Sequence, residues 1–137
     1  LSNQNKVFNV DIEFNKNEDH LRNLVSQLRQ TAEQIELGGG KKSIDKQHEK
    51  NKKTARERLD YLLDKNAPFI EIGKFVGHGL YPEFGGCPAG GTVAGIGYIS
   101  GKQCVVVAND QTVKAGAWFP ITGKKNLRLQ KEPFVTQ

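Results

Sequence analysis

Asn109-Asp110-Gln111-Thr112-Val113-Lys114-Ala115-Gly116-Ala117-Trp118-Phe119-Pro120-Ile121-Thr122-Gly123-Lys124-Lys125-Asn126-Leu127-Arg128 is the most informative stretch of the chain. Just before it, Cys104-Val105-Val106-Val107-Ala108 is continuously apolar, the pattern of a strand buried on both faces. Asn109-Asp110 breaks that strand. Ala115-Gly116-Ala117 is a run of small residues that lets backbone approach a ligand, and a helix begins near Pro120 or Ile121, where a proline forfeits no hydrogen bond. Backbone N–H groups at a helix start favour negative charge. Lys114, Lys124, Lys125 and Arg128 can add charge-assisted bonds to phosphates. The same residues also fit an ordinary strand-to-helix connection with incidental lysines, and spacing alone leaves both readings open.

Upstream, Thr92–Ile99 and residues 103–108 read as a hairpin turned at Ser100-Gly101-Lys102. Residues 69–75 read as a further strand, started by Ala67-Pro68 after a short helix over 55–63 with Leu59, Leu62 and Leu63 inward. Thr54 and Glu57 have the spacing of a capping box at that helix start. Further back, Leu21, Leu24, Val25, Leu28, Ala32 and Ile35 form one apolar stripe on a helical period. They predict a helix over 18–37, with Asn17 as its N-cap and Gly38 as a left-handed C-cap. At the other end, Pro133 is expected to stop the last helix.

The two halves differ in chemistry. Residues 1–66 hold 13 basic and 11 acidic side chains against 7 and 4 in 67–137, while 12 of the 15 glycines lie after residue 70. A charged helical segment, 1–66, is therefore expected before a glycine-punctuated, strand-rich segment, 67–137. Lys41 to Arg58 carries eight positive residues and three negative. That stretch fits a nucleic-acid footprint, a solvated helix face laced with salt bridges, or a contact to the phosphates of a small anionic ligand. It contains no aromatic residue for stacking.

Composition removes several classes. The 137 residues carry a net charge of +5 and 36% apolar side chains, with no run approaching the roughly 20 needed to span a bilayer. The first residues show no basic region followed by an apolar one, so no secretory signal is expected. Cys87 and Cys104 are too few for a disulfide scaffold and lack zinc spacing, and His20, His48 and His78 are scattered, so no metal is expected. Nucleotide loops fail on position. The glycines at 85, 86, 90 and 91 precede a strand rather than follow one, Gly123-Lys124 is followed by Lys125, and Gly95-Ile96-Gly97 lies inside a strand.

Thr54-Ala55-Arg56-Glu57-Arg58-Leu59, then Gly91-Thr92-Val93-Ala94-Gly95-Ile96-Gly97, then residues 109–128 resemble the carboxyltransferase (β) subunits of biotin-dependent acyl-CoA carboxylases. The likeness is to the methylcrotonoyl-CoA carboxylase branch, whose members carry Asn-Asp-x-Thr-Val-Lys-x-Gly, then a Pro and a Lys-Lys-x-Leu-Arg helix. It implies an α/β fold of the crotonase type, a ββα superhelix of which this chain is the incomplete N-terminal part, preceded by helices. It also implies transfer of a carboxyl group from carboxybiotin to an acyl-CoA such as 3-methylcrotonoyl-CoA in leucine catabolism. In the family, a downstream glycine-rich segment supplies much of the oxyanion hole for the thioester enolate, so no catalytic residue is expected in this chain.

Carried onto these positions, the resemblance implies that Lys114, Ala115, Gly116 and Ala117 line the acyl-CoA through their backbone. Lys124, Lys125 and Arg128, with Arg56 or Arg58, become candidates for the CoA phosphates. It further implies biotin on a separate biotin carboxylase or carrier subunit, a homo-oligomer, no nucleic acid or membrane partner, and a cytoplasmic (in a eukaryote, mitochondrial-matrix) location. Ala115-Gly116-Ala117-Trp118 is also similar to the carboxyltransferase of glutaconyl-CoA decarboxylase, so the direction of the reaction stays open. Residues 129–134 leave the family pattern, since Pro133 falls where a helix is expected to continue. A non-catalytic basic binding module is the rival from another class.

Overall fold

The computed structural model describes residues 2–131, with side-chain surroundings from residue 11 onward. The expected helix stop at Pro133 lies outside the described residues. Seven elements follow in order: helices α1 (Ser2–Glu36), α2 (Lys41–Glu49) and α3 (Ala55–Leu62), strands β1 (Ile70–Glu71), β2 (Thr92–Ile99) and β3 (Lys102–Asn109), and helix α4 (Pro120–Lys131).

Helix α1 is longer than its apolar stripe predicts. No glycine or proline occurs between residues 2 and 36, so nothing interrupts it at Asn17, and the N-cap expected there is corrected. Its C-terminus is as expected, with Gly38 left-handed at φ 55° and its N–H donating to the Ile35 carbonyl. The basic stretch contains its own helix, α2, whose His48 Nε2 lies 2.9 Å from Glu57 Oε1 in α3.

Two compact units divide between Glu33 and Gln34. In the first, Leu21, Leu24, Val25 and Leu28 remain exposed on α1. The second contains the sheet, and α3 belongs with it because Ala55 and Leu59 pack on Val93 and Val106. Leu62, expected inward, is half exposed instead.

The sheet has the order β1-β2-β3, antiparallel throughout. Ser100 and Gly101 turn the hairpin with φ of 52° and 76°, left-handed at both positions as the type I′ two-residue hairpin requires. Residue 95 must be glycine, since a Cβ there would overlap the Ile70 carbonyl oxygen and stand 2.7 Å from the Phe69 ring. The strand expected over 69–75 shrinks to two residues because Gly73, at φ 67°, turns the chain away. Nor is β3 buried on both faces. Val106 is buried in the core under α3, whereas Val107 is 46% exposed on the other face. Helix α4 follows β3 and packs beside β2, so β2, β3 and α4 form one ββα unit.

Candidate functional site

The site is built where β3 ends. Asn109 is the last residue of β3, paired with Thr92, and beyond it Asp110 folds the chain back on itself. The Asp110 Oδ1 accepts from the Thr112 backbone N–H at 2.9 Å and from the Thr112 hydroxyl at 2.7 Å, and both residues are buried. A second turn then forms over Lys114, Ala115 and Gly116, with φ of 43°, 53° and 82°. Three successive left-handed residues are unusual. The two that carry side chains each cost about 1–3 kcal/mol, so the surroundings must hold the turn.

Two local bonds close it, from Gly116 N–H to the Val113 carbonyl (2.9 Å) and from Ala117 N–H to the Lys114 carbonyl (3.1 Å). Asn109 Nδ2 donates to the Gly116 carbonyl at 3.0 Å. The Lys114 ammonium lies 3.4 Å from the centroid of the Phe84 ring and 4.9 Å from that of Phe119, which itself stacks on Tyr81 at 4.5 Å. Such contacts hold a cation by the negative face of each ring while leaving its charge uncompensated. Ala115 and Ala117 are exposed, and Trp118 beside them is 64% exposed.

Helix α4 presents two chemically distinct faces. Thr122, Lys125, Asn126 and Leu129 recur at three- and four-residue intervals and are buried. Lys124, Arg128 and Lys131 lie exposed on the remainder. Of the two adjacent lysines, then, Lys124 faces solvent and Lys125 faces in. Lys125 Nζ donates to the carbonyls of Ala89 and Thr92, each at 2.7 Å, and burial pushes its pKa down to about 8. The buried Cys87 thiol is pushed up by the same desolvation.

Arg56 and Arg58, two of the three arginines that the resemblance implicates, form bonds with groups of this chain. Arg56 forms two bonds with Glu71, at 2.9 and 3.0 Å, beside a cleft of about 890 Å³ that Glu36, Phe69 and Lys74 also line. Arg58 donates to the Asn109 carbonyl at 2.8 Å. Sequence reasoning missed Asn109, Phe84 and Tyr81, and only the Asn109 position in the quoted motif carried a signal. Among the described residues no group of three metal-ligating side chains occurs.

Residues 46–136 match the carboxyl transferase domain family. The chain belongs to this carboxyl transferase family. Over 119 residues it is 44% identical to the protein named probable methylcrotonoyl-CoA carboxylase beta chain, mitochondrial, of Drosophila melanogaster, covering 87% of this chain and 20% of that one. Among solved structures, the β subunit of Pseudomonas aeruginosa geranyl-CoA carboxylase superposes with a TM-score of 0.77 at 32% identity, over 88% of this chain and 22% of that one. The transcarboxylase 12S hexamer, solved with methylmalonyl-coenzyme A and methylmalonic acid bound, does so at 0.75 and 34%, over 84% and 23%. The carboxyl transferase fold is thus the crotonase-like α/β architecture, of which these residues form part. The chain spans about a fifth of the length of the relatives it matches.

Proposed function

We propose that this chain forms part of the carboxyltransferase component of a biotin-dependent acyl-CoA carboxylase of the methylcrotonoyl type. The whole subunit would move a carboxyl group from carboxybiotin, borne by a biotin carboxylase or carrier subunit, to an acyl-CoA such as 3-methylcrotonoyl-CoA. The observation that carries this reading is the left-handed turn at Lys114–Gly116, held at the end of β3 with small exposed residues and a cation beside it. Support comes from the names of the fly and Pseudomonas relatives.

Within this reading the backbone of residues 114–117 lies along the acyl-CoA. Lys114, Lys124 and Arg128 are the cations assigned to its phosphates. Lys125, Arg56 and Arg58 act through the protein groups they hold: the carbonyls of Ala89 and Thr92, Glu71, and Asn109. A homo-oligomer, a role in leucine catabolism and a mitochondrial-matrix or cytoplasmic location complete the proposal. The fly relative's name includes the word mitochondrial, and no helix among the described residues is long and apolar enough to cross a membrane.

The test is acyl-CoA binding by the complete subunit carrying this sequence. Lys124→Ala and Arg128→Ala should each weaken 3-methylcrotonoyl-CoA about tenfold, the value of one charge-assisted bond. Affinity unchanged in both variants would refute the phosphate assignment. Salt-sensitive binding of duplex DNA with no acyl-CoA affinity would favour the basic-module rival instead.

A further inference from the structure

We infer that Asn109 is a positioning residue of the acyl-CoA site, acting through the Lys114–Gly116 turn and not on the ligand itself. The inference rests on the functional reading above and deepens it. Asn109 joins three pieces of structure. Its backbone is fixed by the β2–β3 ladder opposite Thr92, its carbonyl receives Arg58 of α3 at 2.8 Å, and its side-chain Nδ2 reaches Gly116 at 3.0 Å. A link therefore runs from α3 through the strand end to the turn.

The two ends of the Asn109 amide are not equally satisfied. Nδ2 has the Gly116 carbonyl, whereas Oδ1 is buried with no hydrogen-bond partner among the described residues. An unpaired buried acceptor is unfavourable, and an apolar residue here would avoid it. What the amide provides in return is the donor to Gly116. The two residues are matched in shape as well, because a Cβ on residue 116 would stand 2.9 Å from Nδ2. A turn of three left-handed residues needs such an outside clamp, since its two local bonds leave the Gly116 carbonyl untethered.

Asn109→Asp and Asn109→Ala in the complete subunit separate positioning from mere stability. Asp keeps the shape but sets an acceptor against the Gly116 carbonyl. Ala removes the donor and the unpaired acceptor together, so folding is preserved even where the Asp variant fails to fold. In either folded variant, KM for 3-methylcrotonoyl-CoA should rise about tenfold while kcat stays within about twofold, the signature of lost uniform binding. Amide hydrogen exchange should quicken over residues 114–117 and stay at the wild-type rate in β2 and β3. An unchanged KM in the Ala variant, or exchange quickened equally throughout the hairpin, overturns the inference while leaving the functional reading intact. A wild-type subunit with no affinity for the acyl-CoA overturns both.

Discussion

The ammonium of Lys125 stands 2.7 Å from the carbonyl oxygen of Ala89, inside the molecule and one residue from a lysine that faces solvent. With its second bond to Thr92 it ties α4 to the turn that leads into β2. Lys125→Met keeps the stem but strands both carbonyls, and should lower stability by about 2 kcal/mol in urea unfolding at pH 7. The pH dependence has a definite sign. Burial holds the folded pKa at about 8 against an ordinary 10.5, so the unfolded chain binds more protons between those values. Stability from this group is therefore fully present above pH 10.5 and is lost as pH falls through 8. The wild-type advantage over Lys125→Met should widen as pH rises across that window.

Glu71 gives the opposite limb of the pH profile. Burial alone would raise its pKa, but Arg56 and Lys74 outweigh that and hold the carboxyl below its ordinary 4.5. The ion pairs therefore stabilise the fold above pH 4.5, and the contribution is lost as pH falls through the depressed value. Glu71→Gln should cost about 3 kcal/mol at neutral pH, because it leaves a partly buried Arg56 unpaired. It should also make the acid transition, followed by circular dichroism, less steep.

Gly39 seats the end of α1 on the site loop. Its N–H donates to the Thr112 hydroxyl at 3.0 Å, and a Cβ there would overlap the Thr112 carbonyl. Gly39→Ala must push residues 110–112 away, at about 2 kcal/mol for forced overpacking. A fall in the thermal midpoint together with weaker acyl-CoA binding is the expected result. Loss of stability alone would show that the loop tolerates the shift.

Thr54 starts α3 with both arms of a capping box, its hydroxyl accepting the Glu57 N–H at 3.3 Å and its own N–H reaching the Glu57 carboxylate at 2.7 Å. Thr54→Ala should cost about 1 kcal/mol, read as a shift of the urea midpoint with unchanged slope.

Elements whose signals are local were readable from the sequence. The capping box set the start of α3, the left-handed pair Ser100-Gly101 set the hairpin, and Pro120 set the start of α4. Signals that depend on neighbours were less so. The valine run looks the same whether one face or both are covered, and only packing reveals that Val107 is exposed. Lys124 and Lys125 are identical in type, and the rotation of α4 against the turn at Pro88–Gly91 decides which one is buried. Arg56 and Arg58 were legible as charges but not as partners of Glu71 and Asn109, which lie far along the chain. Asn109, finally, acts through a side-chain amide that no composition or periodicity argument weighs.

The two thiols should behave as separate chemical handles. Cys87 is 1% exposed, and its raised pKa starves it of thiolate. Cys104 lies only partly covered on the strand opposite Gly97. A maleimide dye applied to the native chain should therefore label Cys104 and pass over Cys87, and mass spectrometry of the tryptic peptides would show the preference. A probe placed there would report on the hairpin without disturbing the interior sulfur.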